Sequence, residues 1–491
     1  MQERERHMNK QEYLEEIEKV IENGPYKATW ESLCGHETPK WYQQDKFGIF
    51  IHWGIYSVPA FGNEWYAHYV YKQGSPEFQY HKDNYGDLKA FGYKDFIPMF
   101  TAEKFCAEQW AELFKEAGAR FVMPVAEHHD GFQMYESELS DWNAKKMGPG
   151  RDVLGELKTA VEKRDMKICA SSHRAEHWWF FNRGRDFDCD VQDQAYQAFY
   201  GPACGPSHNW NTLYDNAPDE EFLEDWLVRS CEIVDKYRPK IMFFDWWIQV
   251  YAFKRYLQKF AAYYYNRAAS WGTDVAIDAK FDAYVHGSAV KDIERGQLNH
   301  ISPDFWQNDT SVAKNSWGYT KNNDYKDSVE IIQDLVDVVS KNGALLLNIG
   351  PKADGTIPKE DENILREIGN WLKINGEAIY NTVYWKTFGE GPTEVPEGHF
   401  TDTQRKEYTP QDIRFTARAN YIYATVMKWP VSGTVKIKSL GTGSGYFKSS
   451  IKDIEILETG EHPYYELRQD LEIYTTLYES SRPVCLKITI D

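Results

Sequence analysis

The sequence predicts an α/β protein in which a parallel (β/α) barrel of the TIM type is followed by a C-terminal antiparallel β-sandwich. Three observations predict it. From about residue 40, short apolar runs alternate with amphipathic helical stretches. After about residue 390 that rhythm gives way to apolar residues spaced by two. No GxGxxG turn and no P-loop follows any apolar run, which counts against a nucleotide-binding sheet. A doubly wound open sheet is the alternative to the barrel.

Residues 1–39 read as an N-terminal helical lead, with a charged helix over 11–22 at the periphery. The barrel is expected over 40–388. Residues 101–117 place Trp110, Leu113, Phe114 and Ala117 on one helical face, with Thr101 as N-cap and Gly118 as C-cap. The run FVMPVAE (121–127) follows. Asp152 caps a helix carrying Leu154, Leu157 and Val161, and KICAS (167–171) follows it. Phe222, Trp226, Ile233 and Tyr237 mark a helix before KIMFFD (240–245). Ile332, Leu335, Val336 and Val339 mark another, ending at Gly343 before ALLLNIG (344–350). Apolar strands between amphipathic helices imply a parallel sheet covered by helices. GEGPTEVPEGHFTDTQ (389–404) has a linker's composition, and residues 389–491 read as the sandwich, with TVKIKSL (434–440) and CLKITID (485–491) alternating.

The net charge of −19 disfavours a nucleic-acid partner. No run of eighteen apolar residues exists, so no membrane span is expected. The charged N-terminus is no secretory signal, and seven scattered cysteines without a CxxC pair fit reduced thiols in a cytoplasmic protein. Aromatic residues reach 16%, which suits both large cores and surfaces that stack on sugar rings; acidity with many Tyr and Trp is compatible with a homo-oligomer.

A parallel barrel carries its active site at the C-terminal ends of its strands. The polar residues that close the apolar runs are therefore the candidates. In KFGIFIHWGIYSVPAFGNEWY (46–66) the run ends in His52, and the next loop carries Glu64 and Trp65. In FVMPVAEHHDGF (121–132) His128 and His129 end a strand. Zinc favours other spacings, so neutral imidazoles bonded to hydroxyls fit better and no metal is expected. In KIMFFDWWI (240–248) Asp245 stands alone among apolar residues, where a carboxylate is costly without partners. It reads otherwise as a cap for the next helix. Residues 286–319 hold Asp292, Glu294, Asp304 and Asp309 with Trp306 and Trp317, and one of these acids is the candidate partner of Asp245. Two carboxylates on separate strand ends, among rings and histidines, form the arrangement of a glycosidase. No GxSxG elbow is present, which disfavours acyl transfer.

KFGIFIHWGIYSVPAFGNEWY, EHHDGF, SDWNAKKMGPGRDVLGEL, SWGY and VSKNGALLLNIGPKADGTIP, in that order between about residues 40 and 385, resemble the α-L-fucosidases of glycoside hydrolase family 29. RFTARANYIYATVMKWP (414–430) resembles the start of that family's C-terminal sandwich. The resemblance implies a barrel that releases terminal α-L-fucose from fucosylated glycans by double displacement, without metal or organic cofactor. It implies Asp245 as nucleophile, with His52, Glu64, Trp65, His128 and His129 against the sugar. His173 and Trp317 are added to that set, and Glu294, in KDIERG, is the acid/base candidate, with Asp292 its competitor. The chain also departs from the pattern. Trp246 stands where the family has Gly, and Glu127 where many members have Lys. SSHRAEHWW (171–179) replaces a Tyr-Tyr-Ser strand end, so Ser171, Ser172, His173 and Glu176 take a tyrosine's place. IDAK (277–280) replaces Asn-Asp-Arg. These changes leave open α-L-galactose as the sugar, or a binding protein without catalysis.

Overall fold

The computed structural model describes residues 8–205 and 217–491. Eight parallel staves form the barrel. They are β1 (Phe47–Ile51), β2 (Phe121–Glu127), a stave in two pieces, β3 (Lys167–Ile168) and β4 (Ala170–Ser172), then β5 (Ile241–Phe244), β6 (Ala276–Lys280), β7 (Val290–Glu294), β8 (Trp306–Ser311) and β9 (Gly343–Ile349). β1 pairs in parallel with both β2 and β9, which closes the ring and excludes the open doubly wound sheet. Every residue of β2 and β9 is buried, because the lumen covers one face and helices the other.

The helices start where side chains satisfy their first amides. Asp152 accepts from Gly155 N ahead of Val153–Glu162, and Asp219 accepts from Phe222 N ahead of Glu220–Tyr237. Thr101 is not such a cap: the helix expected from 101 runs Ala107–Glu116. Residues 102–104 bond instead to the turn after β9, through Ala102 N to Ala353 O and Lys104 N to Asp354 O. The N-terminal lead is not peripheral either. Its helix, Lys10–Asn23, buries Tyr13, Ile17 and Ile21 in the same core as the barrel helices. Gly24 lets the chain pass Asn266, whose side chain bonds Tyr26 N and Tyr26 O at 2.8 Å each; a Cβ at Gly24 would meet Asn266 Cγ at 2.1 Å.

The sandwich pairs β10 (Val383–Glu390), β11 (Ile413–Arg418), β12 (Tyr421–Val426), β17 (Val484–Ile490) and β14 (Ile451–Ile456) in one sheet. The second sheet holds β13 (Thr434–Ile437), β16 (Leu471–Tyr474) and β15 (Tyr464–Leu467). Both are antiparallel around their own apolar core. The first sheet therefore begins at Val383, inside the span assigned to the barrel, because VYWKTFGE pairs with β11.

Residues 389–404 do more than link. Residues 281–289 and 295–305 join β6 to β7 and β7 to β8 without a helix, leaving that rim uncovered. The segment turns back over it. Gly398 N bonds Gln297 O at 2.9 Å, Phe400 N bonds Glu294 O at 2.8 Å, and Thr401 N bonds Arg295 O at 2.8 Å. All seven cysteines are unpaired, and no helix among the described residues is long and apolar enough to cross a membrane.

Candidate active site

All eight staves deliver a polar residue to the C-terminal rim. His52 follows β1, His128 and His129 follow β2, His173 follows β4 and Asp245 follows β5. Lys280 and Glu294 end β6 and β7, while Asp309 and Asn348 sit late in β8 and β9. The staves' parallel direction gathers these groups around one cavity of about 280 Å³. It is lined by every residue singled out as a site: His52, Glu64, Trp65, His128, His129, His173, Asp245, Glu294 and Trp317.

Lys280 is the centre of the charge arrangement. Its Nζ lies 2.8 Å from Asp245 Oδ1, 2.8 Å from Glu294 Oε2 and 3.4 Å from Asp309 Oδ2. Burial works against its ammonium, but Asp245, Asp309 and Glu294 raise its pKa well above the ordinary value. Asp245 and Glu294 respond to this centre in opposite ways. Burial pushes Asp245 up, yet Lys280, His173 and His129 outweigh it and hold the carboxyl well below its usual range. Glu294 is pushed up to about 7, by burial first, with Lys280 opposing and Asp309 and Asp245 adding to the rise.

His173 Nδ1 lies 3.2 Å from Asp245 Oδ2, and its Nε2 lies 2.7 Å from Ser171 Oγ. His129 Nε2 reaches the same Asp245 oxygen at 3.7 Å, and its Nδ1 sits 3.2 Å from Glu176 Oε2. Burial would keep His129 neutral, but Glu176 and Asp245 raise it to about 9. This departs from the expectation of two neutral imidazoles: the buried contact with Glu176 favours the charged form of His129. His128 is neutral, held well below its ordinary value by burial and by His129, and its Nδ1 has no hydrogen-bond partner. His52 is also held down, by burial and by His173, and its Nδ1 sits 2.7 Å from Asn348 Oδ1.

Glu64 Oε2 accepts from Ser316 Oγ at 3.0 Å and from Trp317 N at 2.8 Å, which fixes the loop carrying Trp317. The Trp317 ring lies 5.7 Å from Lys280 Nζ and 4.7 Å from Arg295 Cζ. Trp65 meets the His129 ring edge-on at 5.3 Å. Trp246 lines the wall and stands 5.6 Å from Trp247 at 84°, so an indole fills space that a glycine would leave empty.

The other acids separate by position. Asp292 lies beneath the pocket, fully buried, and accepts from Gln307 Nε2 at 2.9 Å; burial and Asp309 push it well above the carboxylate range. Asp304 is exposed and lies 2.6 Å from His286. Glu127 turns away from the cavity to Arg174 at 2.7 Å and Arg229 at 3.4 Å. Two trios bring possible metal-ligand atoms within 4.8 Å of one another: His52, His128 and His173, and His129, His173 and Asp245. Charged Lys280 and His129 oppose a cation in the second trio. In the first, Asn348 engages His52, and Ser171 and Asp245 engage both nitrogens of His173. Neutral hydroxyls suit these groups better than a cation does.

Lys280 and Phe400 are two of the pocket residues that the sequence did not single out as sites. Lys280 closes the run AIDAK as Asp245 closes IMFFD, so the strand-end rule contained it. Phe400 sits in a Gly- and Pro-rich stretch with no period to flag it.

The family described as Alpha-L-fucosidase matches residues 13–377. The plasma α-L-fucosidase of Homo sapiens is 34% identical over 424 residues, covering 83% of this chain and 80% of that protein. The crystal structure of the Thermotoga maritima α-fucosidase in complex with a mechanism-based inhibitor is similar at 30% identity and a TM-score of 0.75, covering 94% of this chain and 100% of that one. The same enzyme in complex with fucose is similar at 29% identity and a TM-score of 0.74, with the same coverage. With the family match over most of its length, these relatives and this rim of carboxylates and imidazoles, the chain belongs to the α-L-fucosidase family, glycoside hydrolase family 29.

Proposed function

We propose that this retaining α-L-fucosidase uses Asp245 as its nucleophile and Glu294 as its acid/base to release terminal α-L-fucose. One observation carries the assignment. Asp245 Oδ1 and Glu294 Oε2 each lie 2.8 Å from Lys280 Nζ, so they are no further apart than twice that distance. Retaining enzymes hold their carboxyl groups about 5–5.5 Å apart, and inverting ones about 6.5–9.5 Å to admit a water. The charges agree: Asp245 is kept ionised, as a nucleophile must be, and Glu294 still carries its proton near neutrality.

In the first step an oxygen of Asp245 bonds to the anomeric carbon as the bond to the leaving oxygen breaks. The Glu294 proton passes to that oxygen. In the second step Glu294 takes a proton from water, the water oxygen bonds to the anomeric carbon, and the Asp245 ester breaks. Esterification removes the Asp245 charge. Lys280 then pairs with Glu294 and Asp309 alone, which favours the carboxylate Glu294 needs to act as base. His52, His128 and His129 bond the sugar hydroxyls, and Trp65 and Trp317 offer it ring faces. Support for fucose in this pocket comes from the fucose complex of the Thermotoga maritima relative.

Proton NMR of an aryl α-L-fucoside during turnover tests the proposal. The first-formed fucose is the α-anomer, and the aryl α-L-galactoside turns over more slowly. Asp245→Gly loses several powers of ten in rate, and azide restores part of it as the glycosyl azide of inverted configuration. A first-formed β-anomer, or near-normal activity in Asp245→Gly, overturns the assignment. Faster turnover of the galactoside makes galactose the sugar.

A further inference from the structure

We infer that Phe400 forms a platform for the leaving part of the glycan, stacking on the apolar face of the pyranose next to the fucose. The inference rests on the proposed roles of Asp245 and Glu294. Among the described residues, Phe400 is the exposed large apolar side chain that lines the cavity, and it is 50% exposed. A half-exposed phenylalanine at the mouth of a pocket lined by carboxylates and imidazoles gains from a ring laid upon it.

The backbone holds it there with some strain. Its φ is +55°, the left-handed region that disfavours a side chain. Such strain persists where the surroundings over-determine the conformation, and it gathers at ligand-binding sites. Here the surroundings are a clamp. Phe400 N bonds Glu294 O at 2.8 Å, while Thr401 N and Asp402 N bond Arg295 O at 2.8 and 2.9 Å. Asp402 Oδ2 lies 2.7 Å from Lys326 Nζ and 3.3 Å from Arg295 Nη1. His399 Nδ1 accepts from Glu294 N at 3.0 Å.

Two consequences follow. None of these bonds uses the Phe400 side chain, so the clamp does not require an aromatic at this position. And the clamp fastens Phe400 to Glu294, the residue that protonates the leaving oxygen. Whatever departs on that oxygen lies on the Glu294 side of the cavity, beside the ring. The ligand is thus a pyranose with an unbroken axial C–H face, such as a galactoside or an N-acetylglucosaminide.

The test compares α-L-fucosyl fluoride, which has no aglycone ring, with fucosyl-galactose and fucosyl-N-acetylglucosamine disaccharides, using the full-length enzyme. For Phe400→Ala, kcat/KM on the better disaccharide falls about ten-fold relative to the fluoride, and Phe400→Trp keeps the wild-type ratio within about two-fold. The alkaline limb of the Phe400→Ala pH profile stays in place, which shows Glu294 undisturbed. An equal loss on both substrate types, no loss, a moved alkaline limb, or wild-type cleavage of the fluoride but of neither disaccharide overturns the inference. Wild-type enzyme that cleaves none of these compounds overturns the assignment of Asp245 and Glu294, and this inference with it.

Discussion

Lys280 Nζ lies 2.8 Å from Glu294 Oε2 in a buried contact, and that contact limits how far burial can raise Glu294. Burial, Asp309 and Asp245 push the carboxyl up, Lys280 pulls it back, and it comes to about 7. On the proposed assignment, the competent enzyme has Glu294 protonated and Asp245 ionised. The value of kcat/KM on a fucosyl disaccharide therefore falls as pH rises through about 7, as Glu294 loses its proton. It holds toward low pH until Asp245 protonates, below the ordinary Asp value of about 3.9. A pH profile of kcat/KM checks both limbs. An alkaline limb near the ordinary Glu value of about 4.3 would remove Glu294 from the role.

Replacing Lys280 separates its charge from its bulk. In Lys280→Met the ammonium that lowers both carboxyls is gone, so Asp245 and Glu294 each titrate at higher pH. The whole pH profile moves up, and the plateau drops because Asp245 loses its strongest stabilising charge. Truncating one partner of a buried charge pair costs about 3–5 kcal/mol, so a loss of two or more powers of ten is expected if that cost falls on the transition state. Lys280→Arg keeps the charge and restores much of the rate. A Lys280→Met enzyme with unshifted limbs would show that the carboxyls take their pKa values from elsewhere.

The histidines differ in charge, and their variants should differ with them. His128 is neutral, so His128→Ala loses a neutral hydrogen bond, about 0.5–1.5 kcal/mol. His129 is charged and also faces Asp245 at 3.7 Å, so His129→Ala loses a charged bond of about 1.5–3 kcal/mol. Trp65→Ala removes both the ring and its edge contact with His129. The losses belong in kcat/KM, since contacts to the sugar tighten at the transition state. His129→Ala should be the worse of the two histidine variants. Equal effects would show that the charge of His129 plays no part.

The barrel and most of its rim were legible because both follow from local rules. An apolar run with a polar terminus named β1, β2, β5 and β9, and at their ends His52, His128, His129 and Asp245. Asp245 closes an apolar run, whereas Asp304, kept as one candidate partner, lies on the surface beside His286. Three features escaped, each because its cause lies far away in the chain. The charge of His129 comes from Glu176, which only the fold brings to 3.2 Å. Thr101 has a cap's chemistry, but bonds from residues 102 and 104 to the turn after β9 displace the helix start. The stretch around Phe400 has a linker's composition, and only the missing helices beside β7 give its main chain a rim to bond.

Glu294 and Asp292 lie two residues apart on β7 and so face the same side of the strand, but the structure separates them by depth. Glu294 reaches the cavity and Lys280; Asp292 lies beneath, bonded by Gln307. A proton donor must touch the leaving oxygen, and of the two only Glu294 lines the space where that oxygen can be. Two substrates decide its role. A Glu294→Ala enzyme keeps fair activity on an aryl fucoside with an activated leaving group, which departs without a proton. It fails on a fucosyl disaccharide, whose leaving alcohol needs one. Azide rescues the aryl reaction by replacing the water that Glu294 would have activated, and the product azide retains configuration because Asp245 still forms the intermediate. The alkaline limb near 7 disappears from the aryl profile, since its titrating group is gone. Asp292→Asn shows no such split between substrates, because its carboxyl lies beneath the cavity, bonded by Gln307, out of reach of the leaving oxygen. If Glu294→Ala slows both substrates equally and keeps its alkaline limb, Glu294 only pairs with Lys280, and Asp309, the other acid on that ammonium, becomes the proton donor to examine.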